Sequence, residues 1–252
     1  MRQTVDKQAI ARAFGRAARC YNHYAELQRR SGEQLAFYAR RQTGQKVLDA
    51  GCGSGWFSQR WRRAGNHVTA LDLSAEMLMQ ARSQHCADHY EIGDIEALPF
   101  TEPRFDLCWS NLAVQWCSDL SLAMTELRRV TLPGGQVLFS TLAAGSLNEL
   151  HSAWHALDLP APVNRFLSVE SINEAGQSLR AQLYPQTLTL GFPDVLSALR
   201  SLKGIGATHL HQGRSGTVLS RRQLQHLALY WPRDSRGFLL SYHLVYGVID
   251  CE

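Results

Sequence analysis

The chain of 252 residues has no window of eighteen consecutive apolar residues and no short apolar run near its start. A membrane span and a secretory leader are therefore not expected, and a cytoplasmic protein is. Its six cysteines, at positions 20, 52, 86, 108, 117 and 251, form no C-x-x-C pair and no Cys/His spacing suited to zinc, so they read as reduced thiols with no metal site. His209 and His211 have no carboxylate or cysteine at matching spacing. Lysine is scarce: Lys7, Lys46 and Lys203 are the only lysines among 26 basic residues, which leaves 23 arginines. Arginine suits carboxylate and phosphate partners because its planar fork binds them bidentately, though scattered surface arginine accounts for the count equally well. The basic residues form no long run or repeated stripe, so nucleic acid is not an expected partner. Low-complexity tracts are absent too, and with 45% apolar and 19% charged residues the composition is that of a globular chain. The length fits one α/β core with an added lid.

What is present is a change of period along the chain. Residues 6–41 place Ile10, Phe14, Ala17, Tyr21, Tyr24 and Leu27 at helical spacing. From residue 46 strands alternate with helices: "KVLDA", a helix from Trp56, "HVTALDL", a helix from Ala75, "HYEIGD", "FDLCWSN", a helix over 119–130, and "QVLFSTL". That alternation predicts a parallel sheet with helices on both faces. Gly65 is expected to end one helix, Ser74 to cap the next, and "LPGG" at 132–135 to turn before the fifth strand. Later segments read as helices at 147–159, 169–179, 194–203 and 220–231, with strands "QLYPQTLTLGF" and "LLSYHLVYGVI". Regular core first, less regular additions second, is the expected order.

The stretch "VLDAGCGSGWFS" sets Gly51, Gly53 and Gly55 in the first strand-to-helix turn, where parallel sheets bind ligands. Glycine lets the backbone approach a ligand closely, and the following helix start presents unpaired N–H groups. Asp49 is expected to order the loop by accepting backbone N–H bonds. A dinucleotide fingerprint needs a third glycine where Trp56 stands, which weighs against a pyrophosphate. Asp72, 21 residues after Gly51, suits ribose hydroxyls but would also serve as a plain helix cap. Asp94 in "GDIEALPF" is placed to accept from an exocyclic amine between Ile95 and Leu98, unless it is a surface loop.

Those segments, with "VTALDLS", "FDLCWSNLAVQW" and "LPGGQVLFSTL", resemble the class I S-adenosylmethionine-dependent methyltransferases over residues 46–142. The resemblance implies a Rossmann-like, seven-stranded, mostly parallel sheet with helices on both faces. It also implies S-adenosyl-L-methionine at Asp49, Gly51, Gly53 and Gly55, with Asp72 and Leu73 at the ribose, Asp94 and Ile95 at the adenine, and Asn111 and Leu112 by the methionyl carboxyl and sulfonium. Beyond that core, "AFGRAARCYNHYAELQ", "GSLNELHSAW", "NRFL" and "SLKGIGATH" resemble the malonyl-acyl-carrier-protein O-methyltransferase family of biotin synthesis. On that resemblance residues 1–45 form a helical cap over the cofactor, 46–142 its binding core, and 143–252 the rest of the sheet with a substrate lid.

The implied reaction is esterification of the free malonyl carboxylate on an acidic acyl-carrier protein, with coenzyme A as a possible carrier and the enzyme a monomer. A carboxylate is ionised at neutral pH, so no general base is required. Tyr21 (or Tyr24), Arg165, Lys203 and His209 are the candidates for orienting the substrate, although tyrosines on a helix with Phe14 are more often core than active site. Arg200, Arg214, Arg221 and Arg222 are candidates for the carrier, or else a solvated face. Alternatives within reach are a methyltransferase for another small acid or a quinone, a non-catalytic S-adenosylmethionine-binding module, and a nicotinamide dehydrogenase.

Overall fold

A computed structural model describes residues 5–159, 161, 163–204 and 219–252. The N-terminal stretch is not one helix but three: α1 (Lys7–Ala17), α2 (Tyr21–Tyr24) and α3 (Glu26–Ala36). Asp6 caps α1 by accepting from the Ala9 N–H, and the chain turns through Ala18–Cys20 before the short α2. The core then runs β1 (Lys46–Ala50), α4 (Trp56–Arg63), β2 (His67–Asp72), α5 (Ala75–Ser83), β3 (His89–Ile92), β4 (Phe105–Asn111), α6 (Leu120–Arg129) and β5 (Thr131–Leu142). After it come α7 (Asn148–His155), α8 (Val169–Gly176), β6 (Gln182–Phe192), α9 (Val195–Gly204), α10 (Arg221–Tyr230), β7 (Arg233–Asp234) and β8 (Gly237–Asp250).

Seven strands form the sheet in the order β3-β2-β1-β4-β5-β8-β6, as expected, and a two-residue β7 added to β8 makes eight. β1 through β5 pair in parallel, while β8 enters antiparallel between β5 and β6. Burial follows position. Central β1 and β4 are almost wholly covered, as strands with helices on both faces must be, whereas edge strands β3 and β6 are largely exposed. One face packs Leu35, Phe57, Trp61, Trp109, Trp154 and Leu227 from α3, α4, β4, α7 and α10; the other packs Met124, Leu127, Phe139 and Ile172 from α6, β5 and α8. The order reverses between β1 and β4, which opens a crevice above their carboxyl ends.

The expected punctuation holds in two places and shifts in a third. Gly65 ends α4 at φ +85°, and the Ser74 hydroxyl accepts from the Met77 N–H to cap α5. "LPGG" is not a turn outside the strand but an irregularity within β5: pairing with β4 jumps from Phe105–Thr131 to Leu107–Gln136, and Gly134 sits at φ +77°.

Candidate active site

The crevice holds a pocket that is partly open to solvent. From the sheet come Gly51, Gly53, Asp72, Leu73, Asn111 and Leu112; from the loop after β3, Gly93, Asp94 and Ile95. Eight of the ten expected cofactor residues thus face one space. A second cavity of about 400 Å³ lies beside it, sharing Gly51, Asn111 and Tyr21 and lined further by Gln28, Arg29 and Asp49.

Gly51 sits at φ +78°, and a Cβ there would fall 2.3 Å from the Ala113 Cβ. Gly53 (φ +55°) lies under the Tyr21 ring, whose nearest atom would be 3.6 Å from an added Cβ. Both positions need glycine for backbone conformation, and Gly51 for space as well. Gly55 does different work: it starts α4 at φ +84°, tight against Cys86 and Ala81, and lines neither cavity. Its expected place at the ligand is corrected to one in helix packing.

The ordering of the loop expected of Asp49 falls to Asp72. Asp72 orders the loop, with Oδ2 accepting from the Gly53 N–H at 2.8 Å and Oδ1 from the Ser74 N–H at 2.8 Å. Asp49 instead accepts from the Ser58 hydroxyl on α4 at 2.6 Å. The reason is reach, because Asp49 points under the loop toward the helix while Asp72, on the neighbouring strand, meets the loop backbone. Burial raises the Asp49 carboxyl to about 7, partly offset by the Ser58 bond and reinforced by the nearby Asp72. Burial likewise raises Asp72, against the pull of its backbone N–H bonds. Burial and the Asp72 charge raise the Tyr21 phenol well above its usual value, so it stays protonated.

At the other end of the cavity Asp94 accepts from Lys7 Nζ at 3.0 Å and from the Glu96 N–H at 3.0 Å. Glu96 also receives Lys7, together with the N–H groups of Ser118 and Asp119. The loop behind them is braced by Glu126, which accepts from the Leu98 N–H and pairs with Arg129, itself donating to the Leu98 and Phe100 carbonyls. Asp94 is thus no free surface loop. Ile95 is buried beside Gly51.

The end of β4 is fixed by a chain of side-chain bonds. The Ser140 hydroxyl donates to Asn111 Oδ1 at 2.8 Å and lies 3.2 Å from the Ser31 hydroxyl, while Asn111 Nδ2 donates to the Gln28 carbonyl. Leu112 takes φ +51°, and its N–H reaches Ser140 Oγ at 3.0 Å. A leucine held in that conformation by its surroundings turns the chain sharply at the cavity wall.

The N-terminal helices contribute to the site as well. Lys7, Ile10 and Phe14 of α1 line the main cavity, with Phe14 edge-on to Trp116 at 5.3 Å. Their spacing was visible, but an apolar helix stripe does not say whether it covers a core or a ligand. Asn22 accepts from the Ser54 hydroxyl at 2.5 Å and Arg29 stacks on Trp56, tying the N-terminal helices to the glycine loop. Tyr24 is half-buried and lines neither cavity, whereas Tyr21 lines both.

The remaining substrate candidates scatter. Arg165 lines a third cavity of about 420 Å³ with Gln115, Thr141 and Phe166, and this cavity shares Cys117 with the main one. Lys203 is exposed in the last turn of α9, outside these cavities. His209, with Arg214, lies outside the described residues. Among the described residues, no helix is long and apolar enough to cross a membrane.

Comparison with known proteins supplies the family. A family profile described as "Methyltransferase domain" matches residues 48–139, the β1–β5 core. A malonyl-[acyl-carrier protein] O-methyltransferase of Erwinia billingiae is 74% identical over 99% of this chain and 100% of its own. The chain belongs to this family. A second member, from Erwinia pyrifoliae, is 65% identical over 100% of this chain and 96% of its own, so the likeness extends past the cofactor core into both flanking parts. Among solved structures, the geranyl diphosphate C-methyltransferase of Streptomyces coelicolor, crystallised with S-adenosyl-L-homocysteine, matches with TM-score 0.53 at 18% identity, covering 90% of this chain and 82% of that one. At that identity it speaks for the fold alone. Family membership sets aside the dehydrogenase reading.

Proposed function

We propose that the chain transfers a methyl group from S-adenosyl-L-methionine to the free carboxylate of malonyl-acyl-carrier protein, forming the methyl ester that primes pimeloyl synthesis for biotin. The observation that carries this is the 74% identity running end to end with a relative of that name. The residues present fit the cofactor. Gln28 Oε1 and Trp109 Nε1 are buried without partners in the smaller cavity, where Arg29 and Asp49 also stand. One cation, one anion and two unsatisfied polar atoms suit an amino-acid end. Asp72 and Leu73 would hold the ribose, and Asp94 and Ile95 the adenine. Asp94 retains acceptor capacity beside its bonds from Lys7 and Glu96, since a carboxylate offers about four lone-pair sites. When bound, the cofactor supplies a methyl group activated by a sulfonium cation.

The chain's own part is placement. A malonyl carboxylate is already ionised at neutral pH, so no residue has to take a proton from it, and the described cavity walls offer no dyad for doing so. In-line attack depends on orientation and on removing water from the nucleophile. Tyr21 and Phe14 from the N-terminal helices and Leu112 with Ala113 after β4 line the cavity. Arg165, at the adjoining cavity, would draw the carboxylate in through its guanidinium. In this reading residues 1–45 act as the cap, 46–142 as the cofactor core and 143–252 as the substrate part.

The test is incubation with labelled S-adenosylmethionine and malonyl-acyl-carrier protein beside acetyl and succinyl carriers, with mass spectrometry of the carrier. One methyl gained only on the malonyl form, and labile to base, is the expected result. Saturable cofactor binding with no transfer to any of the three would refute the assignment.

A further inference from the structure

Helices α9 and α10 carry cations that pair with no carboxylate among the described residues. Their sequences, VLSALRSLKG and RRQLQHLALY, contain no acidic residue. Arg200, Lys203, Arg221 and Arg222 are all exposed, and none forms an ion pair among the described residues. Arg40, Arg62 and Arg129 pair with Asp250, Asp88 and Glu126, whereas other exposed arginines of the chain, like these, do not; what sets α9 and α10 apart is the absence of any acidic residue beside their cations.

The position of two of them is unfavourable for the isolated helix. Arg221 and Arg222 occupy the first turn of α10, the positive end of its dipole, where an acidic residue would be stabilising. The helix is nonetheless firmly started, because Ser220 and Gln223 close a reciprocal capping box. A well-made helix start that then presents two unpaired arginines is adapted to an anionic surface from outside.

Apolar side chains extend the same faces. On α9, Leu196, Arg200 and Lys203 stand at i, i+4 and i+7, all exposed, while Val195 and Ala198 are buried. On α10, Arg221 and Leu229 are eight residues apart on one exposed stripe; Leu229 is 79% exposed and Tyr230 beside it 55%. Leu227 faces inward and is fully covered. The two helices pack on each other, and α9 packs on α2, the helix whose Tyr21 lines the cofactor cavity. An anionic protein seated here stands at the rim of the site.

We infer that the exposed faces of α9 and α10 form the docking surface for the acyl-carrier protein, with Arg200, Lys203, Arg221 and Arg222 meeting its carboxylates and Leu229 and Tyr230 supplying apolar contact. This rests on the malonyl-carrier reading above and adds where the carrier sits. The carrier is acidic, so charge complementarity selects it over a neutral or basic partner and makes encounter faster at low salt.

The test is titration of malonyl-acyl-carrier protein into the full chain by calorimetry, with wild type, R221E/R222E, the milder R221A/R222A, K203E, and R62E/R63E as a reversal at a separate arginine cluster. Expected is saturable carrier binding that weakens with salt, falls at least tenfold in R221E/R222E and less in R221A/R222A and K203E, and stays within about twofold in R62E/R63E. S-adenosylmethionine affinity, measured on the same samples, stays within about twofold throughout, which separates a lost surface from a lost fold. Carrier affinity unchanged in R221E/R222E, or reduced as much in R62E/R63E, overturns the surface. Methyl transfer is followed in parallel: a wild type that binds the carrier at this surface without methylating it supports the surface while counting against the reaction.

Discussion

Asp49 is a carboxylate placed where its charge is costly, and replacing it with asparagine should stabilise the empty protein in a pH-dependent way. The residue is 2% exposed, and burial raises it to about 7. In the unfolded chain it titrates at about 3.9, so the folded state holds the proton more tightly by about three units. With the folded value above the unfolded one, the associated stability is fully present below about pH 4 and is lost as the pH rises through about 7. Integrating the two titrations, the ionisation penalty is about 1–2 kcal/mol at about pH 5 and about 4 kcal/mol at about pH 8. Asparagine carries none of it, although its amide needs an acceptor that the Ser58 hydroxyl, a donor to Asp49 at 2.6 Å, supplies only by reorienting. That offset does not depend on pH, so it cancels when two pH values are compared.

The stability of Asp49→Asn relative to wild type should therefore improve by about 2–3 kcal/mol between about pH 5 and pH 8, or roughly 5–10 °C in Tm for a chain of this size. Urea unfolding of the cofactor-free protein at both pH values measures it. The same variant should bind S-adenosylmethionine at least tenfold more weakly at pH 8, because a cationic amine then loses its buried counter-charge. A difference between variant and wild type that is the same at both pH values, within about 0.5 kcal/mol, would refute the reasoning.

Three further outcomes test other parts of the site. Asp72→Ala removes the acceptor of the Gly53 and Ser74 N–H groups, so S-adenosylmethionine affinity should fall at least a hundredfold by titration, with stability lowered by about 1–3 kcal/mol. Arg165→Ala should raise the KM for malonyl-acyl-carrier protein about tenfold or more while cofactor affinity stays within twofold; equal losses in both would place Arg165 at the cofactor instead. Gly55→Ala forces a Cβ to 2.7 Å from the Cys86 Cβ at φ +84°, which should cost about 2–4 kcal/mol in urea unfolding, and an unaltered midpoint would mean that α4 starts differently.

The fold was largely legible because its signals were local and mutually consistent. Apolar runs at β1 and β4, the Ser74 cap, Gly65 at a helix end and the alternation of periods all act within a few residues. The break of the N-terminal segment into three helices was hidden, since Ala18, Arg19 and Cys20 carry no glycine or proline to mark it. In the site, eight of the ten residues singled out from the sequence line one pocket, but which carboxylate holds the loop depends on a pairing between β1 and β2 that spacing does not reveal. Ser140, Ser31 and Asn111 meet from three distant segments, and Lys7 reaches Asp94 across 87 positions. Contacts of that range leave no local trace in one sequence.

Charge is partitioned across the molecule in a way that gives the proposed reaction a direction. Inside, Asp72 and Asp94 line the main cavity beyond the ends of β2 and β3, Asp49 lines the smaller one beside it, and Lys7 is already engaged by Asp94 and Glu96. A cavity walled in this way favours a cationic ligand and disfavours an anionic one. Outside, Arg165 and the arginine faces of α9 and α10 present the opposite sign. On the proposed function, an anionic acyl group would be disfavoured in the depth of the crevice and favoured at its rim. The same partition explains why a strong base at the centre would be a liability: a second anion beside the sulfonium would compete with the substrate carboxylate for the position from which attack occurs.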